Sequence, residues 1–116
     1  MIGTSEFIRG YTEIILCSLL YIEDDYIYNL VKKILHMSNG KVQITYPSVL
    51  MIVKKMVDEK KVISYDRLNE KGVNRKFYAL TDKGRQYYKE NYTKFIESLI
   101  SLENLIKEGV NNAKKD

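Results

Sequence analysis

The 116-residue sequence predicts a mainly α-helical (α+β) fold, in which three short helices and one β-hairpin precede a long final helix. Three observations support this order. Apolar residues recur every three or four positions near both ends of the chain, as on one face of an amphipathic helix. Two strand-like runs, 62–68 and 75–80, flank a joint rich in glycine, asparagine and charge. From residue 82 to 108 there is no proline and one glycine, which favours a single long helix.

Helices are predicted over residues 5–22 and about 25–37. Asp24 and Asp25 interrupt the first apolar run and are favourable residues at the start of the second helix. The sequence Ser38-Asn39-Gly40 ends that helix, because asparagine and glycine tolerate the left-handed conformation. The apolar stripe of the first helix consists of Phe7, Ile8, Tyr11, Ile14, Ile15, Leu19 and Ile22.

A third helix is predicted over residues 47–60, because Pro47 suits a first helical turn. At 100° per residue, one side of this helix is apolar and would face the core. The opposite side carries two apolar residues beside a serine and a lysine. Either this side enters a DNA major groove, where such residues meet base edges and thymine methyl groups, or its apolar members cover the hairpin or are simply exposed. The core side comprises Val49, Leu50, Val53, Met56 and Val57, and the outer side Ser48, Met51, Ile52 and Lys55.

The hairpin is predicted to have a mobile tip over residues 69–74, and Thr81 is predicted to cap the long helix 82–108. Gly109 would end that helix. A helix of about 27 residues is about 40 Å long, more than a small body can cover. Its heptad-spaced apolar residues therefore predict pairing with a second copy rather than packing on the chain's own first helix. These interface candidates are Tyr88, Tyr92, Phe95, Leu99, Leu102 and Ile106.

The order of elements is that of a winged helix-turn-helix with an added C-terminal helix. We expect a winged-helix DNA-binding domain over residues 1–81, a dimerisation helix over 82–109 and a disordered tail over 110–116. Because Thr81 joins the wing directly to the long helix, a rotation of that helix would move the wing with it.

Basic residues are concentrated in the middle of the chain. The net charge is +4, but residues 41–85 alone hold eleven basic and five acidic side chains. A local excess of this kind predicts a polyanionic partner, here double-stranded DNA. Lys60 and Lys61 would flank the groove. The predicted DNA contacts are Lys41, Tyr46, Ser48, Met51, Ile52, Lys54, Lys55, Lys71, Asn74, Arg75 and Lys76.

Other function classes find little support. Cys17 is the only cysteine, which excludes an intrachain disulfide and a cysteine-cluster zinc site. His36 is the only histidine, and no carboxylate cluster, phosphate loop or nucleophile motif accompanies it, so we expect no enzyme activity, metal or cofactor. No signal peptide is evident and the apolar run 14–22 is too short to span a bilayer, so the expected location is cytoplasmic. The competing hypothesis is a winged-helix module for protein–protein contact without DNA binding.

Several stretches carry a family resemblance: Phe7-Ile8-Arg9-Gly10, Glu13-Ile14-Ile15-Leu16, Tyr28-Asn29-Leu30, Ser48-Val49-Leu50 and the whole run from Arg75 to Arg85. With these residues the chain resembles the PadR family of bacterial transcriptional regulators over about residues 5–106. The resemblance implies a homodimeric repressor of the short subgroup, some members of which bind flat aromatic molecules between the subunits. By that resemblance Ile8, Tyr92 and Phe95 would line such an effector site. Lys60 departs from the family pattern, which has glycine there.

Overall fold

The computed structural model describes residues 6–113, with side chains from residue 10 onward. The molecule is elongated, measuring 64 × 28 × 21 Å, because its last helix projects from a compact body. The elements in chain order are α1 (Glu6–Ile22), β1 (Asp25–Tyr26), α2 (Ile27–Met37), α3 (Tyr46–Asp58), β2 (Val62–Leu68), β3 (Asn74–Leu80) and α4 (Asp82–Asn112). This confirms the predicted mainly helical winged-helix fold with a long C-terminal helix.

One hydrophobic core lies between α1, α2, α3 and the sheet. The predicted core side of α3 is confirmed, since Val49, Val53 and Met56 are fully buried and Leu50 and Val57 pack at the edge of the core. Their partners include residues from α1, α2, β2 and β3. The fully buried side chains of these partners are Leu16, Cys17, Leu20, Leu30, Ile44 and Val62.

The sheet contains a short strand that the sequence analysis missed. β1 pairs antiparallel with β3, which also pairs with β2, so the strand order is β1-β3-β2. Asp25 was expected at the start of α2, but it lies opposite Tyr78 in the sheet and α2 begins at Ile27. The Asp25 carboxylate still serves α2, because it accepts hydrogen bonds from the Asn29 amide at 2.9 and 3.1 Å and pairs with Lys33 at 2.7 Å.

The boundaries of α3 differ by one or two residues from the prediction. The helix begins at Tyr46, before Pro47, because the hydroxyl of Thr45 accepts a hydrogen bond from the Ser48 N–H at 3.4 Å. It ends at Asp58, where the Lys61 N–H donates to the Met56 carbonyl and the Lys60 N–H donates to the Val57 carbonyl, both at 2.9 Å. This Schellman pattern requires a left-handed residue, and Lys60 adopts φ 62°.

The tip of the wing (β2, β3 and the turn between them), which was predicted to be mobile, forms a hydrogen-bonded turn. The side-chain oxygen of Asn69 accepts from the Lys71 and Val73 N–H groups, both at 2.9 Å. The Asn69 N–H donates to the Val73 carbonyl at 2.8 Å, and Gly72 supplies the left-handed φ of 75°. The asparagine that suggested flexibility is therefore the residue that orders the turn.

The long helix begins as predicted and ends later. The Thr81 hydroxyl accepts from the Gly84 N–H at 3.1 Å, which confirms the predicted cap. Helix α4 continues through Gly109 to Asn112, whose amide donates to the Glu108 carbonyl at 3.1 Å. The tail predicted to be disordered from residue 110 is thus helical for its first three residues; residues 114–116 lie outside the described part. Within residues 6–113 no helix is long and apolar enough to cross a membrane.

Candidate nucleic-acid interface

The start of α3 and the base of the wing border one cleft of about 200 Å³. Tyr46 contributes from α3, and Asn74, Arg75 and Lys76 contribute from β3. The remaining lining comes from the start of α2 and from Tyr78. Four of the predicted DNA contacts, separated by nearly thirty positions in the sequence, are therefore neighbours in space.

Met51 lies on the exposed face of α3. Its side chain is 56% exposed, and Lys54 and Lys55 flank it. Ile52 was predicted on the same face, but the structure packs it against the core. The reason is angular, since Ile52 lies about 40° from the buried Met56 and about 100° from Met51 around the helix. Ser48 is half-buried, and its hydroxyl accepts from that of Thr45 at 2.9 Å.

Two lysines predicted to meet phosphates are instead paired with acidic side chains. Lys61 Nζ lies 2.9 Å from Glu13 Oε2 and 3.2 Å from Glu59 Oε1. Lys55 Nζ lies 3.1 Å from Glu13 Oε1. Burial raises the pKa of Glu13, but the hydrogen bonds from Lys61 and Lys55 outweigh burial and leave the pKa below its usual value. No local sequence pattern indicates this cluster, because Glu13 lies on α1 and is distant from Lys55 and Lys61 along the chain.

The end of α3 is fastened to the start of α4 through residues 59–61, a contact that we call the α3–α4 clasp (Glu59, Lys60, Lys61, Thr81, Lys83, Gly84, Tyr87). The Thr81 hydroxyl donates to the Lys60 carbonyl at 2.6 Å, and the Thr81 N–H donates to the Lys61 carbonyl at 3.0 Å. Lys83 Nζ donates to the Glu59 carbonyl at 2.8 Å. These three hydrogen bonds connect the end of α3 directly to the start of α4.

Close packing and an aromatic contact complete the clasp. A Cβ added to Gly84 would lie 2.1 Å from the Lys61 carbonyl oxygen, so only glycine fits there. The Lys61 ammonium lies 3.8 Å from the centre of the Tyr87 ring, a distance suited to a cation–π interaction. Lys61 thereby contacts α1, α3 and α4 together.

The remaining basic candidates are exposed. Lys41 precedes α3, Lys54 lies on its outer side, and Lys71 lies at the wing tip. Arg75 and Lys76 are exposed on β3, where the Arg75 guanidinium lies 5.8 Å from the centre of the Tyr26 ring. These side chains supply the positive charge that borders the cleft and the outer face of α3.

The predicted interface residues of α4 fall into two groups. The first group packs on α1 of the same chain: the Tyr88 hydroxyl donates to that of Ser18 at 3.3 Å, and the Phe95 and Tyr11 rings lie 5.5 Å apart. Tyr92 stacks on Tyr88 and is 39% exposed. The second group is exposed, together with other apolar residues of the same half. The exposed apolar side chains of this distal half are Ile96, Leu99, Ile100, Leu102, Leu105, Ile106 and Val110.

An apolar cavity of about 310 Å³ lies between α1 and α4. Tyr92 and Phe95, two of the three predicted effector contacts, line it from α4, and Tyr11 and Ser18 line it from α1. The third, Ile8, has a side chain outside the described residues. Volumes of this size accommodate small organic molecules.

Cys17 is buried in the core. Burial raises the pKa of its thiol to about 12. Among the described side chains, no group of three or more His, Cys, Asp and Glu residues is placed to hold a metal ion.

The chain matches a protein-family model described as the transcriptional regulator PadR-like family over residues 15–90. No curated protein matches its sequence. Among solved structures, a transcriptional regulator from Clostridium thermocellum is 25% identical with a TM-score of 0.77, and the match covers 90% of this chain and 98% of that one.

Two further structures are similar in fold. A PadR-like regulator from Bacillus cereus is 23% identical with a TM-score of 0.75, over 89% of this chain and 98% of that one. Bacillus subtilis PadR, solved in complex with operator DNA, is 18% identical with a TM-score of 0.59, over 67% of this chain and 44% of that one.

Proposed function

The chain belongs to the PadR-like family of transcriptional regulators, and on this premise we propose that it is a homodimeric repressor that binds a palindromic operator. Helix α3 enters the major groove and the wing contacts the neighbouring backbone. The observation that carries this proposal is the cleft that joins Tyr46 of α3 to Arg75 and Lys76 of the wing. The complex of Bacillus subtilis PadR with operator DNA supports the same use of the fold.

The DNA-binding surface consists of exposed donors around one exposed apolar side chain. Met51 is suited to thymine methyl groups, and the lysines and arginine around it are suited to phosphates. Ile52 packs on the core and Lys61 is paired with Glu13, so we exclude both from this surface. Lys55 is also paired with Glu13, and we expect it to contribute less to DNA affinity than the lysines that make no ion pair within residues 10–113. The proposed contacts are Lys41, Tyr46, Ser48, Met51, Lys54, Lys71, Asn74, Arg75 and Lys76.

Selection of genomic fragments by the purified protein tests DNA binding directly. We expect enrichment of inverted repeats, with a spacing set by the distance between two α3 helices. Gel-shift assays on a selected fragment, with the charge-reversal variant Arg75→Glu/Lys76→Glu, should show binding lost. If the wild-type protein shifts no fragment at low salt, and charge reversal changes nothing, the protein–protein alternative replaces this proposal.

The distal half of α4 supports the homodimer. Its exposed apolar side chains continue the heptad seam beyond the contacts with α1, and Ile106 is 77% exposed. A soluble domain rarely leaves such a contiguous surface open, so a second copy covers it. Light scattering should report a dimer for the wild-type protein and a monomer for Leu102→Glu/Ile106→Glu. The control Asn104→Glu lies on another side of α4, about 200° from Leu102, and should remain dimeric.

The cavity between α1 and α4 supports an effector site. Its lining is aromatic and aliphatic, and it borders the proposed interface, so a flat aromatic molecule bound there would alter how the two subunits meet. The α3–α4 clasp then carries a rotation of α4 to α3, which changes the spacing of the two recognition helices.

Ligand control is tested by measuring operator affinity against a panel of flat hydrophobic molecules. A ligand that weakens DNA binding should lose that effect in Tyr92→Ala. The control variant Ile22→Ala changes an exposed apolar residue of α1 that lines neither this cavity nor the cleft beside the wing, and it should leave the effect of the ligand unchanged. Operator affinity that stays constant across the whole panel would contradict ligand control.

A further inference from the structure

We propose that the cleft between α2, α3 and the wing is a phosphate subsite that holds one phosphodiester of the DNA backbone. This inference rests on the proposed DNA binding and assigns one specific contact within it. The cleft is open on one side, and at about 200 Å³ it is smaller than the pockets that take small organic ligands.

The lining of the cleft has the chemistry of an anion site. Arg75 and Lys76 supply positive charge, and Asn74 supplies an amide that can donate. Four tyrosines line the cleft, and no lining residue is acidic. The Tyr26 hydroxyl already donates to Glu70 at 3.3 Å, which leaves the hydroxyl groups of Tyr28, Tyr46 and Tyr78 for a ligand.

Tyr78 is the observation that points most directly to a ligand. Its side chain is only 6% exposed, and its hydroxyl has no hydrogen-bonding partner within residues 10–113. The hydroxyl oxygen itself remains accessible and Tyr78 lines the cleft, so this O–H group is placed to donate to an acceptor bound there. Burial and the nearby Tyr46 raise the pKa of Tyr78, so the group remains a neutral O–H donor at physiological pH.

The N-terminus of α2 adds a second, independent contribution. Ile27, the first residue of this eleven-residue helix, lines the cleft. The preceding Tyr26 provides no side-chain cap, and the first turn contains no acidic residue. The free N–H groups and the positive end of the helix dipole therefore favour an anion here. Asp25, which precedes them, already pairs with Lys33 at 2.7 Å.

The position of the cleft selects a phosphodiester over a free anion. It lies between α3 and the wing. Because these are the two elements proposed to contact the duplex, the sugar-phosphate backbone would pass the cleft on its way from one to the other. A phosphate held there would fix the depth and register of α3 in the groove, because backbone contacts position a protein on DNA.

The test compares two tyrosine-to-phenylalanine variants of the full-length protein. Tyr78→Phe removes the donor in the cleft. Tyr65→Phe is the matched control, because Tyr65 lies on the opposite face of the same hairpin and its hydroxyl already donates to Asp24 at 2.6 Å. Fluorescence anisotropy with a duplex bound by the wild-type protein should show about five- to ten-fold weaker binding for Tyr78→Phe, with an unchanged salt slope, and no change for Tyr65→Phe.

Arg75→Gln should weaken binding and lower the salt slope by about 0.9. A scan of the duplex with neutral methylphosphonate linkages provides a measurement that is independent of folding. One position in each half-site should weaken binding by the wild-type protein and have no further effect on Tyr78→Phe, because variant and linkage remove the same contact. Losses that simply add would overturn the subsite.

The remaining outcomes separate this inference from the proposed function. If the wild-type protein binds no DNA, both fail. If the wild-type protein and Tyr65→Phe bind and Tyr78→Phe binds equally well, only the subsite fails. Inorganic phosphate alone is the third probe: if it raises the melting temperature of the wild-type protein but not of Tyr78→Phe, while DNA affinity is equal, the cleft is a free-phosphate site and the DNA assignment is overturned.

Discussion

The two ends of α3 differ in how they are held. At the N-terminal end Tyr46 and Met51 are 45% and 56% exposed, and the nearest feature is the open cleft. At the C-terminal end Lys61 is buried among Glu13, Glu59 and Tyr87, and the backbone carbonyls of residues 59–61 accept hydrogen bonds from α4. One helix is thus free where it would meet DNA and fixed where it meets the rest of the protein.

This difference shows that a positive charge near a DNA-binding helix does not by itself indicate a DNA contact. Lys54 and Lys55 are neighbours in the sequence, yet only Lys55 has a carboxylate 3.1 Å away. Glu13 on α1 pairs with Lys55, so Lys55 contributes to stability while Lys54 remains available to bind DNA. The hydrogen bonds at this far end connect α3 to the start of α4, so the proposed rotation of α4 would be expected to carry α3 with it.

The largest effect on stability is expected from Gly84→Ala, which places a methyl group against the fixed C-terminal end of α3. The new methyl group would lie 2.1 Å from the Lys61 carbonyl oxygen, a backbone atom that cannot move without breaking the clasp. We expect the free energy of unfolding to fall by about 3 kcal/mol. Urea denaturation measures this change.

Gly109→Ala is the matched control on the same helix. Nothing lies within 4 Å of the added Cβ, and Gly109 is exposed within α4. Alanine should therefore increase the free energy of unfolding by about 1 kcal/mol through helix propensity. Equal effects of the two substitutions on the free energy of unfolding would mean that α4 does not pack closely against the backbone of Lys61.

A smaller loss is expected from Glu13→Gln. The side chains of Glu13 and Lys61 are only 12% and 13% exposed, so removing the carboxylate leaves a largely buried ammonium without its closest partner. We expect a loss of about 2 kcal/mol after allowing for the exposure of Lys55. Glu103→Gln removes an exposed pair to Lys107 at 3.7 Å and should cost less than about 0.5 kcal/mol.

The effect of Glu13→Gln should depend on pH with a defined sign. Glu13 has a lower pKa in the folded protein than the value of about 4.3 expected in the unfolded chain. Its contribution is therefore complete above about pH 4.3 and is lost as the pH falls through the folded-state pKa. Urea denaturation curves of the wild-type protein and Glu13→Gln should differ by the same amount from pH 7 to pH 5 and should converge as the pH falls through the folded-state pKa of Glu13.

The sequence predicted what depends on local pattern. The helical faces, the Thr81 cap and the hairpin follow from periodicity and from residues close together in the chain. The sequence analysis missed contacts between distant positions, such as Glu13 with Lys61 and Asp25 with Tyr78. Gly109 was expected to end α4 but lies inside it, and Asn69 accepts two hydrogen bonds in the turn. The same residue types suit a flexible loop, an ordered turn or a helix interior, so only the surrounding structure distinguishes these cases.

The fixed end also contains a strained residue that can be relieved. Lys60 ends α3 with φ 62°, a conformation that disfavours any residue with a Cβ and favours glycine. Because its side chain is exposed, Lys60→Gly should increase the free energy of unfolding by about 0.5–1 kcal/mol. Thermal unfolding monitored by circular dichroism measures the gain. A loss of stability would mean that the Lys60 side chain contributes more than its backbone strain costs.

The smallest effect, and the most direct comparison, comes from replacing the adjacent lysines of α3 one at a time. Lys54 makes no ion pair within the described residues, so Lys54→Gln should leave stability unchanged. If it contacts a phosphate, the substitution should lower the salt slope of DNA binding by about 0.9 and weaken affinity about three- to five-fold.

Lys55→Gln should affect stability more than it affects DNA binding. Its Nζ lies 3.1 Å from Glu13, so the substitution should reduce the free energy of unfolding by up to about 1 kcal/mol and change the salt slope less than Lys54→Gln does. Salt titrations by fluorescence anisotropy and urea denaturation on both variants give the two quantities. Equal slopes for the two lysines would mean that the Glu13 pair opens when DNA binds, and the division between a free and a fixed end of α3 would then hold only for the protein without DNA.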